Sequence, residues 1–162
     1  MNYDNLIAID PDTDKSGVAF LELSSGKMET SVLGFAKLLE YLKFAKQTSE
    51  QTAQTVLIII EAGWMNAKSN FHGGNNNIGQ RIAKNVGANH EVGRKIAEMC
   101  EYYGLEVKLQ KPLTKKKDEN GKRKKITTEE LNEKLIEKGL SPIIGRCNQD
   151  MRDSVLILLN NL

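Results

Sequence analysis

Residues Leu6 to Asp10 read L-I-A-I-D, an apolar run that stops on a carboxylate. A short run of aliphatic residues fits a strand covered on both faces of a sheet. The acid is followed at once by Pro11, Asp12, Thr13 and Asp14, and then by Gly17. Taking a carboxylate out of water is costly unless charge or hydrogen-bond donors compensate it. Asp10 therefore has two readings: a cap on the turn that Asp-Pro opens, or a metal ligand at the end of a core strand.

The pattern recurs further along the chain. Val56 to Ile60, V-L-I-I-I, is the most hydrophobic stretch and runs directly into Glu61. Phe35, Leu38, Leu39 and Leu42 recur near helical spacing and place a helix over about Gly34 to Gln47. The polar Thr48 to Thr55 would link that helix to the second acid-ending strand. A strand reached through a helix is expected to run parallel to the first. Between them, Gly17 to Leu23 and Lys27 to Leu33 flank the turn Ser24-Ser25-Gly26, so the first three strands read as an antiparallel meander.

The stretch Ala62 to Asn77 is rich in Gly and Asn and reads as a loop. It carries Trp64, the one tryptophan of the chain, with Phe71 and His72. A long loop after an acid-ending strand suits function, while Trp64 could equally pack on the core beneath it. Ile78 to Tyr103 reads as one long helix ended by Gly104, with Gly79, Gly87 and Gly93 lowering its intrinsic propensity. Leu105 to Leu109 is a fifth strand. Thr127-Thr128-Glu129-Glu130 is a capping box that opens a helix over about Thr128 to Lys138. The last helix covers about Gln149 to Asn160. The expected class is α/β, with three antiparallel strands and then parallel ones.

The 162 residues suit a single domain over 1–162, which buries about two thirds of its unfolded surface. No apolar run approaches the length of a membrane span. The N-terminus shows no basic region ahead of its first apolar run, so no secretory signal is expected. Cys100 and Cys147 lie far apart with no CxxC spacing, which suits a reduced, cytoplasmic protein and argues against a zinc site. Nine Lys or Arg residues between Lys108 and Lys125 face only Asp118 and Glu119. That is a local balance of +7 in a chain of net charge +2, so the remainder carries −5. A basic segment on an acidic body is a footprint of nucleic-acid contact, or a solvated loop.

Asp150 and Asp153 open the last helix three residues apart and so share a face. They could be ordinary first-turn acids favoured by the helix dipole. The helix is otherwise apolar and must lie on the sheet, which would point its acids at the strand ends carrying Asp10 and Glu61. Converging carboxylates repel unless a cation lies between them. Oxygen donors without a Cys or His cluster favour Mg2+ or Mn2+ over Zn2+. Two such ions about 4 Å apart serve in-line displacement at phosphorus.

The order strand-Asp, two hairpin strands, helix, strand-Glu, helices and a final helix opened by D-x-x-D resembles the RNase H-like superfamily. Within it, the chain resembles the RuvC-type Holliday junction resolvases. The motifs that carry the likeness are I-A-I-D-P-D-T-D-K-S-G-V-A-F at Ile7 to Phe20, I-I-E-A-G-W-M at Ile59 to Met65 and Q-D-M-R-D-S-V-L at Gln149 to Leu156.

That resemblance implies an RNase H-like fold and a metal-dependent endonuclease that resolves four-way DNA junctions by paired nicks. It implies that Asp10, Glu61, Asp150 and Asp153 are the catalytic metal-binding acids, with two Mg2+ or Mn2+ ions per site. It places Trp64 against bases at the junction, where an aromatic face stacks without reading sequence. It assigns DNA contact to the lysine-rich segment, here Lys115, Lys116, Lys117, Lys122, Arg123, Lys124 and Lys125. It also implies a homodimer through the helix 78–103. The chain departs from the family in having Asp12 where glycine usually follows Asp-Pro, with Asp14 beyond it, and this extra charge could alter metal preference. Two rival readings share the same residues: an RNase H-like nuclease for RNA–DNA hybrids, flaps or RNA, and a DNA-binding protein that kept the fold without the chemistry.

Overall fold

The computed structural model describes residues 3–66, 76–113 and 125–162, with 76–79 as backbone. The sheet is built from β1 (Asn5–Asp10), β2 (Ser16–Glu22), β3 (Lys27–Leu33), β4 (Val56–Glu61) and β5 (Glu106–Gln110), in the order β3-β2-β1-β4-β5. β1 pairs antiparallel with β2, and β2 with β3. β1 pairs parallel with β4, and β4 with β5. This is the mixed five-stranded sheet expected from the sequence.

The helices are α1 (Phe35–Thr52), α2 (Asn76–Tyr102), α3 (Thr128–Glu137) and α4 (Gln149–Leu159). Successive strand residues point to opposite faces of a sheet, and the two cores follow that alternation. Leu6, Ala8, Leu57 and Ile59 bury against Leu131 and Leu135 of α3 and Val155, Ile157 and Leu158 of α4. Ile7, Ile9, Ile58 and Ile60 bury against Leu38 and Leu42 of α1 and Ile96 and Cys100 of α2. Both central strands are thus covered on both sides, as an unbroken aliphatic run requires. Each fully buried aliphatic side chain contributes about 1.5–3 kcal/mol.

α1 runs five residues past its expected end at Gln47. The polar residues there are compatible with a helix because their hydroxyls bond inside it. Ser49 Oγ donates to the Lys46 carbonyl at 2.8 Å and Thr52 Oγ1 to that of Thr48 at 2.8 Å. Lys46 also pairs with Glu50 one turn on, at 3.2 Å. The helix stops at Ala53, whose φ of 53° is left-handed and whose N–H returns to the Ser49 carbonyl.

The predicted capping box of α3 is present in full. Thr127 Oγ1 accepts from the Glu130 N–H at 3.2 Å, and Glu130 Oε2 accepts from the Thr127 N–H at 3.0 Å. Asn148 caps α4 by accepting from the Met151 N–H at 3.0 Å. β5 lies one residue later than expected and ends on Gln110, not Leu109.

Candidate functional site

Asp10 lies opposite Gly17 of β2. Ile9 pairs with Ile60, so Asp10 and Glu61 follow side by side at the ends of adjacent parallel strands. Glu61 in turn pairs with Gln110 of β5. Gly17, Asp10, Glu61 and Gln110 therefore form one row across four strands, with neighbouring strands about 4.8 Å apart. By the two-residue alternation, Asp10 points with Leu6 and Ala8, and Glu61 with Leu57 and Ile59, toward the α3/α4 side.

Asp153 comes to that side from α4. Asp10, Glu61 and Asp153 line one cavity of about 720 Å³. Its other polar walls are Glu130, Glu133 and Glu137 with Lys134 on α3, Gln149 on α4, Asn160 just after α4, and Lys125. Among the described residues, six carboxylates thus meet two lysines. Asp150 is not part of that lining. Its backbone carbonyl oxygen instead lies 2.1 Å from the point a Cβ would occupy on Gly17. The first turn of α4 is therefore pressed onto β2 directly beside Asp10, and glycine is required there because any side chain would collide with backbone.

The donor chemistry suits a hard divalent cation: carboxylate oxygens from two strand ends and one helix, with no thiolate or imidazole among them. As the side chains stand, no three Asp, Glu, His or Cys groups among the described residues close on a common point as ligands do. Mutual repulsion opposes such closure until a cation offsets it.

Gln149 was not foreseen as part of the site. Its amide nitrogen donates to Asp153 Oδ1 at 2.8 Å, and its amide oxygen accepts from Arg152 Nη2 at 3.2 Å. Gln110 was missed because its strand was expected to end one residue earlier. It is 9 % exposed. Its Oε1 accepts from Asn160 Nδ2 at 3.4 Å and from Asn161 Nδ2, tying β5 to the end of α4. Its Nε2 is buried with no partner among the described residues.

Trp64 sits in a short 3-10 turn, Gly63–Met65, just after β4. It is half-buried against the α2 side of the sheet. Arg94 lies 5.4 Å from its ring centre in cation–π contact. His90 meets it edge-on at 6.5 Å. A Cβ on Gly93 would stand 2.6 Å from Trp64 Cζ3 and 3.3 Å from Pro11 Cγ. The middle of α2 is thus the seat of the loops that follow both acid-ending strands.

Asp12 belongs to this second framework. Its Oδ2 accepts from Asn89 Nδ2 at 3.0 Å, its Oδ1 from the Asp14 N–H at 2.9 Å, and Asn89 Oδ1 accepts from the Thr13 N–H at 3.2 Å. The Asp12 carboxylate is therefore engaged with α2 and its own loop. Of the expected DNA-contacting basic residues only Lys125 is described, and it lines the cavity. Lys115, Lys116, Lys117, Lys122, Arg123 and Lys124 lie outside the described residues, as do Phe71 and His72. Among the described residues, no helix is long and apolar enough to cross a membrane.

No protein-family model matches the chain, and no curated protein matches it. Among the solved structures similar to it are two of RuvC. One is Thermus thermophilus RuvC in complex with Holliday junction substrate, at 13% identity and a TM-score of 0.49, covering 96% of this chain and 90% of that one. The other is a Thermus thermophilus RuvC structure at 15% identity and a TM-score of 0.45, covering 96% and 91%.

Proposed function

We propose that this chain is a divalent-metal-dependent endonuclease of the RuvC type that cuts branched DNA, with the four-way junction as its favoured substrate. The observation that supports this reading is the cavity shared by Asp10, Glu61 and Asp153. Acids predicted from three separate motifs, spread along the chain from position 10 to position 153, line one cavity.

In this reading Asp10 and Glu61 would hold the metal from the strand ends and Asp153 from α4, and Asp150, outside the cavity lining but three residues before Asp153 on the same helix, would join them. When bound there, two Mg2+ or Mn2+ ions would supply activation of the attacking water and charge stabilisation at the leaving oxygen of an in-line displacement at phosphorus. Lys125, one of two lysines lining a predominantly acidic cavity, would be available to meet a phosphate. The remaining basic residues of the segment 115–124 supply the long-range attraction that an acidic body lacks.

We further propose that the protein acts as a homodimer. Ile82 and Val86, one turn apart on α2, are 51% and 39% exposed. The later turns of α2, at Ile96 and Cys100, are buried under its own sheet. Residues 80–87, exposed at every position, are therefore a part of the helix available to a second copy.

A second reading is a DNA-binding protein that kept the fold without the chemistry. It shares the fold and the same residues, and it needs no bound metal. Cleavage of a labelled four-way junction beside duplex, flap and RNA–DNA hybrid decides. Paired symmetric nicks in the junction support the resolvase. Cutting of hybrid or flap alone keeps the acids and moves the substrate. Tight junction binding without cutting of any substrate supports the second reading.

A further inference from the structure

Gln149 and Asp153 lie one helical turn apart on α4, and both line the cavity that holds Asp10 and Glu61. Such a pair on a helix can be no more than a surface contact. Two features set this one apart. The first is its direction. An arginine only donates and an ionised carboxylate only accepts. Arg152 Nη2 on the amide oxygen at 3.2 Å and Asp153 Oδ1 on the amide nitrogen at 2.8 Å therefore admit one orientation of the Gln149 amide, and a flipped amide would lose both bonds.

The second is that the far end of the relay is itself anchored. Arg152 also donates through Nη1 to the Cys147 carbonyl and, at 3.5 Å, to Thr128 Oγ1 at the start of α3. Asp153 Oδ1 is thus tied through one amide to a guanidinium held between two elements of the fold.

We infer that Gln149 is a positioning residue: its amide, locked by Arg152, sets the orientation in which Asp153 offers its carboxylate to the cavity. The inference rests on the metal-dependent reading of the site. The amide supplies a donor without adding charge, and it restrains the rotation of the Asp153 carboxyl group. Partners of this kind, one step behind a ligand, fix the ligand's geometry, and their loss weakens metal affinity by about 10- to 100-fold.

The test is Mn2+-dependent thermal stabilisation of the whole chain, measured for wild type, Gln149→Met and Asp153→Asn. Gln149 is half-buried at the start of α4, and methionine keeps its length while removing both hydrogen bonds. The expected result is a metal-free melting temperature close to wild type and an Mn2+ midpoint raised about 10- to 100-fold. Gln149→Ala replaces the methionine variant if that one does not fold. An unchanged midpoint in a folded Gln149 variant, with a clear response in wild type and its loss in Asp153→Asn, overturns the positioning role and leaves the metal site standing. A wild type that shows no response to Mn2+ at all overturns the metal site and the positioning role together. A fall in metal-free melting with no change in midpoint makes the Gln149 contact structural only.

Discussion

The carbonyl oxygen of Asp150 stands 2.1 Å from the position a Cβ would take on Gly17. Gly17 in turn pairs with Asp10 across the first hairpin. One glycine therefore sets how closely the helix bearing Asp150 and Asp153 approaches the strand bearing Asp10. Gly17→Ala should force α4 away from β2. Overpacking of this kind costs about 1–3 kcal/mol, which lowers the melting temperature by about 2–4 °C for each kcal/mol in a chain of this size. Cleavage should fall further than that loss of stability explains, because the acids of α4 move with its backbone. A variant with wild-type activity would show that this approach does not set the site.

Asn89 joins α2 to the loop after Asp10 through Asp12 and Thr13. Asn89→Ala leaves a carboxylate oxygen and a backbone N–H to find water, at a cost of about 1–2 kcal/mol. Amide exchange over residues 11–15 should accelerate while the core strands keep their protection. Uniform acceleration through the whole sheet would mean the contact holds more than the loop.

Trp64 is the one tryptophan, so intrinsic fluorescence reports its seat alone. Gly93→Ala would place a methyl 2.6 Å from the indole. The ring should be expelled toward water and its emission should shift to the red. If Trp64 meets junction bases, wild-type emission should also change on adding junction DNA. Unchanged emission in Gly93→Ala would contradict the packing described here.

Burial pushes the Cys100 thiol up to about 12 from an ordinary value of 9.0, and the Tyr41 hydroxyl up to about 12 from 10.0. Both groups are neutral when protonated, and both hold their proton more tightly in the folded chain. Their contribution is complete below pH 9 and is lost as pH rises from there through 12. Denaturant midpoints should therefore decline across that window. In the folded chain at pH 8, Cys100 should resist alkylation, and it should react once the chain unfolds. Rapid native-state labelling of Cys100 would contradict its burial.

Much of this was legible before the fold was in view, because period and punctuation are local. The aliphatic runs ending in Asp10 and Glu61, the Ser24-Ser25-Gly26 turn and the Thr127 capping box each specify themselves within a few residues. The end of α1 was not legible. Thr48 to Thr52 is polar enough to read as a linker, and the helix-internal bonds of Ser49 and Thr52, with the Lys46–Glu50 pair, help to hold it in the helix. Gln110 and Gln149 escaped for a related reason. An amide carries no charge and no periodicity, and its role depends on what the fold brings beside it. Trp64 stayed ambiguous because its environment comes from His90, Gly93 and Arg94, some 30 residues away.

Asp10→Asn compared with wild type on a labelled four-way junction, with Mg2+ and with Mn2+, tests the central claim most directly. The substitution removes one charge and keeps the shape of the side chain at the end of β1. The account predicts paired nicks by wild type, no cutting by Asp10→Asn, and junction binding by both. Cutting retained by Asp10→Asn would contradict the metal assignment. Binding without cutting by wild type in either ion would contradict the endonuclease itself.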